Sequence, residues 1–320
     1  MADASGFSVR PPKSSDEVFS LWWPHMQSLG WNRSDKDHAT HWHSSRGGYL
    51  VLTHKDASGE RPVGLVLPII YPNKTGWVGF FVVEEAYRGT GGGRLLFQAA
   101  LDTFKQHGVE HVGLDGVLQQ ISTYQRRGFV EAGRVKLMVT KPIRELTVPA
   151  QISEEIEAPV HLKSLKDVKP AAVEAMDEKV TGLKRADLWT KELLTSRPDA
   201  WGSAIEGEDG EVLGFILVRS CENGYRIGPL YVGKRSWAKV LLWDVMKKIK
   251  HLDTVAEDSS LIAEVWGENG DAIGLFEELG WEYSGVDYAR MWLDGKDTAA
   301  QKKGAVADTQ AFAWFDAGEG

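Results

Sequence analysis

Apolar positions along the chain follow two rhythms. In residues 50–83 they form short runs bounded by turn formers. The polar stretch His54-Lys55-Asp56-Ala57-Ser58-Gly59-Glu60 leads into Val63-Gly64-Leu65-Val66-Leu67, and apolar run, turn residues, apolar run is the pattern of a β-hairpin. Val78-Gly79-Phe80-Phe81-Val82-Val83 is continuous, β-branched and aromatic, which predicts a buried strand. The rhythm then lengthens. Leu95, Leu96, Ala99, Ala100, Leu101 and Phe104 recur at helical spacing, and Gln106-His107-Gly108 supplies a stop, with Gly108 free to take the left-handed conformation.

The same succession occurs a second time. Glu208-Asp209-Gly210-Glu211 leads into Leu213-Gly214-Phe215-Ile216-Leu217-Val218, and Ile227-Gly228-Pro229-Leu230-Tyr231-Val232 corresponds to Val78–Val83. Further on, Phe276-Glu277-Glu278-Leu279-Gly280-Trp281 corresponds to Tyr124-Gln125-Arg126-Arg127-Gly128-Phe129. Matched anchors in one order at a nearly constant offset predict a duplicated domain. The expected division is residues 1–142, a connector over 143–157 without clear periodicity, and residues 158–320. After Asp297 a polar stretch leads to Ala311-Phe312-Ala313-Trp314-Phe315, which reads either as a strand docking back on the second unit or as a disordered tail.

Composition narrows the partners. A chain of 320 residues, 42% hydrophobic, is long enough for two cores. The net charge of −8 argues against nucleic acid and suits an amine-bearing partner. The one cysteine, Cys221, excludes an internal disulfide and a CxxC site. No apolar run approaches the roughly 20 residues that span a bilayer, and the first residues lack the basic and apolar regions of a secretory signal. No membrane partner and a cytosolic location are expected.

The chemistry concentrates where Glu84-Glu85-Ala86-Tyr87-Arg88-Gly89-Thr90-Gly91-Gly92-Gly93 joins the predicted strand to the predicted helix. Strand, glycine turn and helix N-terminus aim backbone N–H groups and the positive end of a helix dipole at one point, which suits phosphate. A Walker A loop needs a Lys-Ser or Lys-Thr that is missing here. A Rossmann loop counted from Gly89 would need glycine where Arg94 stands. A flexible glycine linker would not sit between a buried strand and an amphipathic helix. What remains is Arg88-x-x-Gly91-x-Gly93.

That arrangement resembles the (Q/R)xxGxG/A signature of the GNAT N-acetyltransferases. Val83 stands five residues before Arg88, as in the family's V-x-P-x-x-R-G, with Glu85 where proline is frequent. Tyr124 precedes Gly128-Phe129 as in its Y-x-x-x-G-F, and Val112-Gly113-Leu114-Asp115 looks like its next strand. Gly30-Trp31-Asn32, followed by Asp37, and Arg290-Met291 resemble a two-domain subgroup of the family. The resemblance implies an α/β fold of tandem GNAT-like domains, each a mixed twisted sheet with flanking helices. It also implies acetyl-CoA as cosubstrate and transfer of its acetyl group to a primary amine in a ternary complex.

For the site, the resemblance implies that Arg88, Gly89, Thr90, Gly91, Gly92, Gly93 and Arg94 hold the pyrophosphate. Phe81, Val82 and Val83 would pair with pantetheine, one N–H there polarising the thioester carbonyl, and Tyr124 would protonate the departing thiolate. Asp115, Glu84 and Asp37 are candidates for taking the amine proton, with Asp115 preferred. Trp31, Asn32 and Asp37 are the candidate substrate contacts. No metal is expected, because His38, His41 and His43 lack a ligand spacing such as H-E-x-x-H. The second copy reads Gly233-Lys234-Arg235-Ser236-Trp237 at the loop position, so it is expected to bind no CoA and to close the acceptor pocket instead. A small-molecule acceptor is favoured; a protein lysine and a non-catalytic CoA sensor stay open, as does the oligomeric state.

Overall fold

The computed structural model describes residues 6–320 except 58, 152–159, 209 and 254. The first half runs β1 (Phe7–Arg10), α1 (Ser15–Ser28), α2 (Asp37–Ser44), β2 (Leu50–Asp56), β3 (Gly59–Ile70), β4 (Thr75–Val83), α3 (Gly92–Gln106), β5 (His111–Val117), α4 (Ile121–Gln125) and β6 (Phe129–Thr140). The second runs β7 (Val160–Ser164), α5 (Pro170–Thr181), β8 (Ala200–Gly207), β9 (Val212–Cys221), β10 (Gly224–Val232), α6 (Arg235–Lys250), β11 (Ser260–Trp266), α7 (Gly270–Glu278), β12 (Trp281–Leu293), α8 (Ala307–Gln310) and β13 (Ala311–Ala313). The succession β2 to β6 is repeated as β8 to β12, so both halves carry the same mixed α/β unit.

The described strands form one sheet in the order β1-β2-β3-β4-β5-β12-β6-β11-β13-β10-β9-β8-β7. The halves exchange their last strands. Tyr288–Trp292 of β12 pairs with Val117–Gly113 of β5, and Ile262–Trp266 of β11 pairs with Val139–Val135 of β6. β12 and β6 also pair with each other across the middle of the sheet. The division expected at residue 142 is therefore one of sequence, and the hydrogen-bonded sheet runs across it. Ile143 and Leu146 of the expected connector bury in the core formed by α6 and β11, while its residues 152–157 lie outside the described residues.

Each half packs helices on both faces. α3 covers β2, β3 and β4 through Leu96, Phe97, Ala100 and Phe104, on a core shared with Leu114 and Met291. α1 covers the opposite face through Val18, Leu21, Trp22 and Met26. Ser14 starts α1 by accepting from the Glu17 N–H at 3.2 Å, a capping bond that satisfies one otherwise unpaired donor. In the second half, α6 buries Leu241, Leu242, Val245 and Ile249 against the β10–β11 region. Among the described residues no helix is long and apolar enough to cross a membrane.

Candidate active site

β4 and β5 run parallel, but their ladder spans only Thr75–Trp77 against His111–Gly113. Both strands continue, β4 to Val83 and β5 to Val117, so they splay. The cause lies in β4. Opposite β3, Leu65 pairs with Val82 and Leu67 with Gly79, so Phe80 and Phe81 stand against one residue, and Phe80 takes φ +48°. This β-bulge turns the strand away from its neighbour. The wedge opens into a cavity of about 800 Å³.

The cavity has two ends, on opposite faces of the sheet. Phe81, Val82, Val83, Arg88, Gly89, Thr90, Gly91, Gly93 and Arg94 line the first. Gly89 and Gly91 have φ +78° and +102°, values open to glycine and costly for other residues. No side chain caps the first turn of α3, so its N–H donors are not spent on the protein's own side chains. Arg88 folds back through Nε to the Val83 carbonyl at 3.0 Å, and Arg127 also lines the wall. Gly92 does not line the cavity. A side chain there would meet Leu52 and Phe7 at 2.9 and 3.0 Å, so this glycine serves the packing of α3.

Tyr124 lines the wedge from α4, its ring near Phe97 and Phe129. Burial pushes its hydroxyl up to about 12 against a small opposing effect of Arg127. Asp115, the base expected here, also lines the cavity, and burial raises its carboxyl while Arg290 lowers it. Its wholly buried carboxylate receives Arg290 Nε at 2.9 Å and Nη2 at 2.6 Å, one on each oxygen. The Arg290 guanidinium lies 3.9 Å from the ring centroid of Trp314 and 4.9 Å from that of Trp77. The exchanged strand β12 thus fixes Asp115 in an ion pair across its ladder with β5. Glu84 pairs with Arg61 outside the cavity.

Of the expected substrate contacts, Trp31 lines the cavity and Asn32 and Asp37 do not. Both are used at the junction of the halves. Asn32 exchanges hydrogen bonds with the backbone of Asn223, and buried Asp37 meets Arg197 at 2.8 Å and Arg219 at 3.2 Å. Burial raises the Asp37 carboxyl, and Arg219 with Arg197 outweighs it, holding it below the carboxylate range. The second end of the cavity is instead walled by Leu29, Trp31, Arg33, Phe80, Tyr288, Ala317 and Gly318. Arg33, Phe80 and Tyr288 escaped the sequence reading. Tyr288 stands two residues before the Arg290-Met291 pair, which was the available signal.

The second half has the same wedge in a different state. β10 pairs with β11 only over Gly224–Ile227 and Ser260–Ala263, and Gly228 and Pro229 stand against one residue of β9. β13 fills the opening, pairing Ala313 with Leu230 and with Val265, and Ala311 with Tyr231. The loop is reduced to residues 233–234 between β10 and α6. Gly228 gives room to the Trp314 carbonyl, which a Cβ would meet at 2.1 Å, and Gly79 does the same for the Gly318 carbonyl at 2.2 Å.

Comparison with known proteins places this geometry. Residues 15–129 match the acetyltransferase (GNAT) family and residues 173–303 an acetyltransferase (GNAT) domain. Holothin acyltransferase of Pseudoalteromonas sp. (strain SANK 73390) is 30% identical over 172 residues, 54% of this chain and 53% of that protein, so the chain spans about half the length of this curated relative. The crystal structure of a putative acetyltransferase from Pyrococcus horikoshii superimposes with a TM-score of 0.72 at 20% identity, over 100% of this chain and 98% of that one. A tandem GNAT protein from the clavulanic acid biosynthesis pathway does so with a TM-score of 0.60 at 13% identity, over 89% and 97%. With both halves matched by GNAT domains, an open wedge behind a glycine loop and a repeated fold throughout, the chain belongs to the GNAT acetyltransferase family.

Proposed function

We propose that the protein is an acetyl-CoA-dependent N-acetyltransferase whose acceptor is the primary amine of a small molecule, with one cofactor site, in the first half. The observation that carries this reading is the state of the second wedge. Leu230 and Tyr231, which correspond to Phe81 and Val82, offer their backbone to β13. Pantetheine contains two amides and can run along the corresponding free edge of β4 in the way β13 runs along β10. Residues 1–142 then hold the cofactor, and residues 158–320, joined through 143–157, complete the acceptor end.

The residues divide the work as follows. N–H groups of Gly89 to Gly93 and the first turn of α3 receive the pyrophosphate, with Arg88, Arg94 and Arg127 as nearby positive charge. A backbone N–H of Phe81 to Val83 polarises the thioester carbonyl. Tyr124, held up at about 12, is fully protonated at neutral pH. A thiol ionises near 8.5, so donation to the thiolate is favourable when Tyr124 simultaneously takes the proton that the newly bonded nitrogen gives up.

A small acceptor is favoured because Ala317, Gly318, Trp31 and Arg33 wall the end away from the glycine loop. The Pseudoalteromonas relative is named for acylating holothin. Cys221 as the single cysteine supports a reducing compartment, and we place the reaction in the cytosol. A screen of amines with acetyl-CoA, following free thiol, tests the proposal. Thiol release with at least one amine class is expected; acetyl-CoA binding without release for any amine would favour a CoA sensor.

A further inference from the structure

On the face of the sheet away from α3, the exchanged strands set a buried carboxylate on the same face as Tyr288, which lines the acceptor end of the cavity. Val117 pairs with Tyr288, Tyr288 with Val135, and Val135 with Trp266. Side chains at laterally paired positions share a face, as do those two residues apart along a strand. Tyr288, Trp266 and Glu264 therefore share one face, with Tyr288 in the cavity wall and Glu264 further from the cavity, two strands away.

Glu264 is 2% exposed. Its Oε1 accepts from Arg226 Nη2, and its Oε2 has no hydrogen-bond partner among the described residues. A buried carboxylate oxygen without a donor is costly, and such a group on the sheet face of a cavity-lining tyrosine is a candidate proton acceptor. Rival carboxylates are spent or misplaced. Asp115 has both oxygens on Arg290. Asp316 faces Arg33 and Arg219. Glu319 puts Oε1 on His41 and Ser44; its Oε2 is likewise without a partner among the described residues, but Glu319 lies on no strand beside Tyr288.

We propose that Glu264 accepts the proton of the incoming ammonium through the Tyr288 hydroxyl, a role that rests on the transferase reading above. An N–H proton of the ammonium passes to Tyr288 Oη as the Tyr288 proton passes to a bridging water and a proton of that water to Glu264 Oε2, which no group among the described residues reaches directly. The neutral nitrogen lone pair then forms the C–N bond to the thioester carbonyl carbon. On collapse the C–S bond breaks, and the second nitrogen proton reaches the sulfur by way of Tyr124. The products are the amide, free CoA thiol and one proton on Glu264, which solvent removes before the next cycle.

The surroundings poise Glu264 for this. Burial raises its carboxyl, Arg226 and Arg33 lower it, and Asp316 and Asp115 raise it again, for a net upward shift. Tyr288 is pushed up to about 12 by burial and by the Glu264 charge, Asp316 also raising it and Arg226 and Arg33 opposing. Tyr288 thus stays protonated and hands on a proton only in exchange for another.

The test compares the most and least basic amines that the wild type accepts, across pH 6 to 10, in Glu264→Gln and Tyr288→Phe. For the basic amine, kcat/KM should fall roughly 10²-fold in each variant, and its rise with pH should shift towards the ionisation of the amine itself. The weakly basic amine arrives neutral and should retain a rate near that of the wild type, and the melting shift with acetyl-CoA should be unchanged. Equal losses for both amines, or wild-type pH profiles in both variants, would overturn the proposal. If Glu264→Gln fails to fold because Arg226 loses its partner, Tyr288→Phe decides alone, since it keeps the buried network. Absence of thiol release by the wild type with every amine would remove the transferase reading first, and this role with it.

Discussion

The two wedges of this molecule are built alike and filled differently. Both follow from a bulge, at Phe80–Phe81 in β4 and at Gly228–Pro229 in β10, that parts the strand from its parallel neighbour. In the first half the opening leads to a loop with left-handed glycines at 89 and 91. In the second the loop shrinks to residues 233–234, and Ala311, Phe312 and Ala313 occupy the gap, wholly buried. The splay thus belongs to the fold, whereas a ligand site needs the loop and an unfilled backbone edge as well. One segment serves both wedges: after β13 it continues past Gly228 and then past Gly79 to wall the first cavity.

The largest effect should come from destroying the loop that only the first wedge has. Gly91→Glu places a side chain at φ +102° and a negative charge beside the phosphate position. Acetyl-CoA at a hundredfold excess over Kd should stabilise the wild type by about 2.7 kcal/mol, and thermal melting should show that stabilisation gone in the variant. An unchanged shift would mean that the cofactor sits elsewhere. Next comes Tyr124→Phe, expected to lower kcat roughly 10²-fold with CoA affinity nearly intact. Steady-state kinetics at wild-type kcat would reduce Tyr124 to a packing residue.

Opening the filled wedge should cost stability and create no site. Phe312 is 1% exposed, and Phe312→Ala should cost about 3–5 kcal/mol in denaturant unfolding. Calorimetry should still count one CoA per chain, because the second loop offers no phosphate cradle; two would break the comparison. The smallest effect concerns pH. His38 stands behind Phe80 through Trp22, and burial, with the charge of His41, lowers its pKa from 6.5 to about 4. A group depressed on folding contributes stability that is present above its unfolded pKa and lost as pH falls through the folded one. The melting temperature should therefore drop between pH 6.5 and 4, and drop less in His38→Asn; identical profiles would remove His38 as the cause.

Much of this was written in local pattern. Strand and helix rhythms placed β4 and α3, and Gly89, Gly91 and Gly93 marked the loop, because backbone conformation and helix-end donors depend on residues close together in sequence. The duplication was legible for the same reason, since each copy repeats its own local signals. Tertiary structure decided what depends on partners far away in the chain. Asp115 reads as a free carboxylate at a strand end until β12 places Arg290 against it from 175 residues away. Asn32 and Asp37 read as pocket residues until the second half supplies Asn223, Arg197 and Arg219. Tyr288 lines the first half's cavity, with Glu264 on the same sheet face, because strands are exchanged. Nothing in a strand's own alternation records which neighbour it will pair with, since parallel and exchanged partners satisfy the same backbone hydrogen bonds and the same apolar face.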